Sequence, residues 1–575
     1  MNTINTRFAG FNIQLSKSVT SEDRNQISRS LKSQIANTLQ ITDPSSIKIS
    51  FPELSLERSE SPIQQLSDST DLVEFEITSE ENASVAQVWN WTYRISEYPD
   101  VAYVEPRIAL LDPTRLKSIL PENTQFPVGT DVRTWHLTQA EVQRAWSNFF
   151  SESEPGRGVK IALPDTGYLF HPALNKVLFE SETSSAKFAY DFVDPDNLFP
   201  GKGWTPGSDP NPIRFGHGVS TAALIFAPNE NDNVPGIAPY AEPLFLRVAR
   251  SDQDVEALEF FAPPLGAAIH YAVNNNAHII SISMGGYPSL SVRRAILNAL
   301  RKGIIVIASA GNDVPFTVWP SAYRQVIAVA SSAVDGSIAN RSAKGTRINI
   351  AAPGEYVWCA VSRNFNEHSF ERRSGTSFAT PIVAGIAALW LSRWGVDYLF
   401  NEKYKDRPEV IPVVFNKLLR EHCSTPENWD KDHWGAGIVN AYELLNAKLP
   451  DIEDLANQEL DVINEADYHE LDEGGISTFN HLFEHVQSNK ELMELLLAKL
   501  IDKPHENLPE FLRKFGPELA FHFGINKSLY GSWENILGQV KQETDLIKTS
   551  IEMNLDAIRA HLKENASQVL RENLL

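Results

Sequence analysis

The chain has 575 residues, 42% of them hydrophobic, and a net charge of −22. That length supports several cores and argues for more than one domain, while the acidity argues against nucleic-acid binding, which wants a basic stripe. No run reaches the ~18 continuous apolar residues of a membrane span, and the two cysteines, Cys359 and Cys423, are too few for a disulfide framework or a zinc site.

Residues 1–110 read as a small α+β unit. Alternating apolar and polar residues mark strands at 11–15 and 72–77, helical patterns fall at 20–39 and 84–97, and a last strand follows at 101–106. Strand, helix, strands, helix, strand is the order of a ferredoxin-like arrangement. The N-terminus has no basic stretch followed by an apolar run and a small-residue cleavage site, so a cytoplasmic protein is expected. Residues 111–132, with Pro113, Pro121 and Pro127, read as a linker. From 133 to 447, apolar runs at 159–163, 242–248, 279–283, 304–309 and 326–330 alternate with helical patterns. Such alternation implies a parallel sheet with helices on both faces. Residues 451–473 hold ten acidic side chains and no Lys or Arg, which makes 448–478 an acidic linker. Helical patterns then fill 479–575, at 479–501, 508–523 and 532–572. The last places Trp533, Leu537, Val540, Ile547, Ile551, Leu555, Ile558 and Leu562 at three- and four-residue steps, broken by Thr544. This all-α region either packs on itself or offers a partner or self-association contact.

Four segments carry chemistry. Residues 158–167, Gly-Val-Lys-Ile-Ala-Leu-Pro-Asp-Thr-Gly, form a strand that ends in Asp165 at a glycine turn, the end of a strand where catalytic groups sit in an open α/β sheet. Residues 215–220, Phe-Gly-His-Gly-Val-Ser, open a small-residue helix and hold His217 between glycines. A β-rich run from 304 ends in Ala310-Gly311-Asn312. Residues 374–385, Ser-Gly-Thr-Ser-Phe-Ala-Thr-Pro-Ile-Val-Ala-Gly, set Ser377 on a tight turn at the start of an apolar helix, with Pro381 expected in its first turn. There the unpaired N–H groups and positive potential favour an oxyanion. A serine hydroxyl becomes a nucleophile when a histidine takes its proton and a carboxylate holds that histidine's tautomer. Taken singly, each piece has a structural alternative: a capping serine, a turn aspartate, a turn asparagine.

Together, over about 135–445, these segments resemble the subtilisin-like serine peptidases, the subtilase or S8 family. Residues 236–239 (Gly-Ile-Ala-Pro), 281–286, 351–354 and 434–441 add to the likeness. The resemblance implies Asp165, His217 and Ser377 as a triad, with the Asn312 amide and the Ser377 N–H holding the oxyanion. It also implies a substrate cleft lined by Ser283, Met284, Gly285, Gly286 and by Ser309, Ala310 and Gly311. Val219 departs from the family, which usually has threonine there. No cofactor is required; many relatives bind calcium, but the turn-rich stretch 194–214 matches no defined calcium loop and turn chemistry explains it. His171, in a His-Pro pair, reads as structural. Asp313, with Asp252, Asp254, Glu256 and Glu259, is either ordinary solubilising charge or a bias toward basic substrates. Tyr103-Val104-Glu105-Pro106 resembles the end of the family's inhibitory propeptide, which implies that 1–110 restrains the enzyme and that 111–132 is a self-cleavage zone. The implied function is an intracellular serine endopeptidase acting on polypeptides through an acyl-enzyme on Ser377. The alternatives are a non-cleaving scaffold and a peptide-tailoring acyl transferase or macrocyclase.

Overall fold

Seven strands pair in parallel in the order Ile350–Pro353, Ile327–Ser332, Ile305–Ser309, Ile279–Ile282, Lys160–Asp165, Glu242–Arg247, Ala189–Asp191. They belong to a computed structural model that describes residues 5–16, 21–41, 43–50, 72–77, 83–111, 126, 131–151, 153–168, 171–174, 189–192, 216–228, 234–249, 259–260, 263–364, 367–455, 481–482, 490–501, 508–539 and 545–574. The apolar runs are continuous because both faces of each strand are covered. Ile161, Leu163, Ile305 and Ile307 enter one core, while Ala162, Val306 and Ala308 enter the other, the two-residue period of a strand.

The second core is closed by helices Pro263–Asn274 and Leu290–Arg301. The first is built around helix Thr376–Trp394, whose residues from Thr376 to Leu391 are all buried. Ala379, Ala384, Ala387 and Ala388 leave little side chain between that helix and its neighbours, so it runs through the core instead of lying on the surface. Because all seven strands are parallel, their carboxyl ends share one edge, and Asp165, Ile282 and Ser309 all end there.

The chain divides into two compact units, one made of Leu110–Asn464 and the other of Asn5–Ala109 with Glu465–Leu575. In the second, Ile47–Ser50, Leu72–Ile77, Asn5–Leu15 and Val101–Leu111 pair in that order. With helices Ser21–Leu39 and Val85–Ser96, this is a ferredoxin-like strand order. Ser84 caps the second helix in a reciprocal capping box with Gln87. The C-terminal segment contributes helices Lys490–Ile501, Leu508–Ile525, Lys527–Gln539, Asp545–Asn565 and Gln568–Asn573. The single amphipathic pattern at 532–572 is therefore spread over three helices.

What joins the two segments of this unit is a buried carboxylate. Glu518 is fully buried and accepts from Tyr93 Oη at 2.8 Å, from the Ser567 N–H at 2.6 Å and from Ser567 Oγ at 2.8 Å. Burial, and then the charge of Glu518, hold the Tyr93 phenol well above its usual range, so it remains a donor. Around that cluster, Trp89 meets Phe521 and Tyr93 meets Phe515 edge-on, geometries that favour aromatic pairs.

Candidate active site

Asp165 is the last residue of strand Lys160–Asp165 and is 1% exposed. A carboxylate so deeply buried needs hydrogen-bond donors, and three reach it. Oδ1 accepts from the Thr166 N–H at 2.7 Å and from His217 Nδ1 at 2.8 Å, and Oδ2 accepts from Thr221 Oγ1 at 3.0 Å. Since the carboxylate can only accept, Nδ1 carries the proton and neutral His217 keeps its lone pair on Nε2.

His217 is the second residue of helix Gly216–Phe226, and Thr221 follows it by one helical turn on the same face. Close approach is what Gly218 allows here. A Cβ at that position would stand 2.2 Å from the Gly167 carbonyl oxygen and 3.3 Å from Asp165 Oδ1. Val219, the departure from the family pattern, is fully buried in the apolar core.

Ser377 is the second residue of helix Thr376–Trp394 and is 9% exposed. The ring of the next residue, Phe378, lies 5.6 Å from the His217 ring between centroids. The Ser377 hydroxyl donates to the Ser283 carbonyl at 3.1 Å, and the Ser283 hydroxyl donates to the Ser377 carbonyl at 2.8 Å. The second bond has a clear cause. Pro381 is the sixth residue of the helix, not in its first turn as expected, and it has no N–H for the carbonyl four residues earlier. That carbonyl belongs to Ser377, and Ser283 Oγ takes the missing donor's place.

Asn312 follows strand Ile305–Ser309 and reaches the same helix start. Its Oδ1 accepts from the Thr376 N–H at 2.9 Å and from Thr376 Oγ1 at 3.2 Å. A backbone N–H can only donate, so the amide oxygen is the end facing Thr376 and Nδ2 is the end turned elsewhere. Gly375, at φ +150°, makes this approach possible, since a Cβ there would lie 3.1 Å from Asn312 Nδ2. In the first helical turn, the Ser377 N–H has no acceptor within the helix.

The two segments expected to line the cleft flank this point. Ser283, Met284, Gly285 and Gly286 continue from strand Ile279–Ile282, and Gly286 exchanges backbone bonds with Trp319, N–H to oxygen at 2.7 and 3.1 Å. Ser309 ends its strand, Ala310 donates to the Val329 carbonyl at 2.9 Å, and the Gly311 N–H donates to Thr376 Oγ1 at 3.2 Å. Sequence reasoning assigned no role to Thr166, Thr221 or Thr376. The one available signal was Thr221, four residues after His217 on a helix.

Asp313 is held by Arg341, whose Nε donates to Oδ2 at 2.8 Å, so its charge is balanced locally. His171 accepts from the Ala173 N–H at Nδ1 (3.0 Å) and lies 3.2 Å at Nε2 from the Ser369 carbonyl; burial pushes its pKa down to about 4. These bonds give it a structural place. Burial also pushes Cys359 up to about 12, which keeps it a thiol. Among the described residues no cluster of three or more His, Cys, Asp or Glu could hold a metal, and the stretch 194–214 lies outside them. No helix among the described residues is long and apolar enough to cross a membrane.

The model of the subtilase family (Peptidase S8) matches residues 156–406. The major intracellular serine protease of Bacillus subtilis (strain 168) is 30% identical over 273 residues, 46% of this chain and 76% of that protein. Thermitase of Thermoactinomyces vulgaris is 31% identical over 294 residues, 50% of this chain and 89% of that protein. The crystal structure of fervidolysin from Fervidobacterium pennivorans, a keratinolytic enzyme related to subtilisin, is similar with a TM-score of 0.52 at 19% identity. It covers 78% of this chain and 62% of that one, a likeness of fold.

Proposed function

The chain belongs to the subtilase family and is a subtilisin-like serine endopeptidase, and we propose that it cleaves polypeptides through an acyl-enzyme on Ser377. His217 Nε2 takes the Ser377 proton as Oγ attacks the scissile carbonyl carbon. The carbonyl electron pair moves onto oxygen, where Asn312 Nδ2 and the Ser377 N–H receive it. As the tetrahedral species collapses, the C–N bond breaks and His217 returns the proton to the leaving amine. Water, deprotonated by His217, then attacks the ester and frees Ser377. Asp165 stays ionised throughout, holding the imidazole's tautomer and balancing the imidazolium.

The observation that supports this reading best is the 2.8 Å bond from His217 Nδ1 to a buried carboxylate that the Thr166 N–H and the Thr221 hydroxyl also hold in place. An aspartate so held keeps the imidazole in one tautomer and orientation. The test is product mass with Ser377→Ala alongside. Hydrolysis adds one water across the cleaved bond, transfer to an amine or cyclisation adds none, and the variant should lose turnover by a factor of at least about 10⁴. Proteolysis that persists in Ser377→Ala at the parent rate would overturn the assignment.

The same reading makes residues 1–110 a restraining segment and 111–132 its tether, supported by the likeness of Tyr103-Val104-Glu105-Pro106 to a propeptide end. It places the enzyme inside the cell, as the name of the Bacillus subtilis relative says of that protein. Full-length chain should then shorten itself within 111–132 and gain activity on doing so, whereas Ser377→Ala should stay intact. Activity identical before and after the cut would remove the restraint from the account.

A further inference from the structure

Between the two cleft segments stands a side chain that belongs to neither. If Gly285 carried a Cβ, it would lie 2.2 Å from Val318 Cγ2; a Cβ on Gly311 would lie 2.9 Å from Val318 Cγ1 and 3.3 Å from Cγ2. The Val318 side chain therefore faces both glycines, Cγ2 toward Gly285 and Cγ1 toward Gly311, where Val314 Cγ2 also stands at 3.0 Å. Two walls stripped of side chains normally leave a slot, and here the slot is filled by valine, which is only 2% exposed among the described side chains of the core.

The filling is fixed in place from both sides. The Val318 N–H donates to the Ala310 carbonyl at 2.9 Å, and Ser321 Oγ donates to the Val318 carbonyl at 2.6 Å. Trp319, next in the chain, is bonded in both directions to Gly286. The segment thus ties one wall to the other.

The attacked carbonyl must sit within reach of Ser377 Oγ with its oxygen toward Asn312 and the Ser377 N–H. One cleft wall begins at Ser283, bonded to Ser377, and the other ends at Gly311, bonded to Thr376. The side chain on the acyl side of the scissile bond is the one delivered between them. We propose that Val318 closes this slot and restricts the enzyme to peptides with glycine or alanine immediately before the cleaved bond. The proposal rests on the peptidase reading and adds to it the class of substrate. Acidic loops play no part in it.

The experiment uses the full chain, before and after limited trypsin nicking, on peptide p-nitroanilides that differ only in the last residue: Gly, Ala, Leu or Phe. One misfitted methylene already shifts selectivity by about 10–200-fold, so the parent chain should favour Ala over Phe by at least about 100-fold in kcat/KM. Val318→Gly should move the Phe-to-Ala ratio upward by at least about tenfold, with Val318→Ala in between should the glycine variant fold poorly. Turnover with Phe preferred by the parent chain, or a ratio unmoved in both variants, would overturn the proposal alone. Absence of any turnover together with absence of fluorophosphonate labelling would overturn the peptidase reading, and the proposal with it.

Discussion

Ser283→Ala isolates the way in which the nucleophile's own backbone is held. The Ser377 carbonyl lacks its helical donor because Pro381 has no N–H, and Ser283 Oγ supplies one at 2.8 Å. Ser283 is 1% exposed, so bulk water does not readily replace the lost hydroxyl. Leaving a buried carbonyl unsatisfied costs about 1–3 kcal/mol, while the volume removed is a single oxygen atom. In thermal unfolding, that corresponds to a lowering of Tm by roughly 2–4 °C per kcal/mol, less for a unit as large as this one. The unanchored carbonyl lies on Ser377 itself, so kcat should fall while KM changes little. Pro381→Ala restores the i+4 N–H, and combining it with Ser283→Ala should return most of the lost stability. The four proteins of this double-mutant cycle should show a coupling of at least about 1 kcal/mol. If Ser283→Ala costs as much in the Pro381→Ala background as in the parent, the donor argument is wrong.

Thr221→Val keeps the shape of the His217 helix but removes the donor to Asp165 Oδ2. The Thr221 proton is shared with the Gly218 carbonyl at 3.1 Å, so the loss should be about 1–2 kcal/mol, or roughly 5–30-fold in kcat; an unchanged kcat would contradict the positioning role. Burial pushes His136, His171, His270 and His278 down to about 4 in the folded chain. Between that value and the unfolded pKa of about 6.5 the unfolded state binds more protons, so stability is complete above ~6.5 and is lost as pH falls. Tm should therefore drop from pH 7 to pH 5, less steeply in His136→Gln, and a flat profile would contradict this. In the second unit, Glu518→Gln turns an amide N–H₂ toward Tyr93 Oη or the Ser567 donors and should cost about 1–3 kcal/mol. A cut between 112 and 125 should leave the N-terminal fragment co-eluting with the rest of the chain, and the variant should weaken that association; full dissociation from the parent protein would count against the shared core.

The candidate site was legible because its chemistry sits in short local motifs at the ends of strands and the starts of helices. Asp165, His217 and Ser377 each close or open an element, Asn312 follows a strand by three residues, and a glycine within two residues of each marks the turn. The parallel sheet was legible for a different reason: its strands are buried on both faces, so they appear as unbroken apolar runs separated by helical periods. What was hidden lies in contacts between distant segments. Ser283 and Ser377 exchange hydroxyl bonds across 94 residues, and neither local pattern announces the other. Thr166, Thr221 and Thr376 look like ordinary turn or helix residues until Asp165 and Asn312 are seen against them. Val318 reads as one apolar residue in a loop, and only the glycines opposite reveal what it fills. Glu518, 425 residues from Tyr93, lies on a helix whose apolar face suggested packing but not with which segment.

The central claim, that Ser377 is the nucleophile activated by His217 and Asp165, is tested most directly by fluorophosphonate labelling of the full chain followed by peptide mapping. The account predicts one adduct, on Ser377, absent from Ser377→Ala and strongly slowed in His217→Ala. An adduct on another residue, or peptide hydrolysis undiminished in Ser377→Ala, would contradict it.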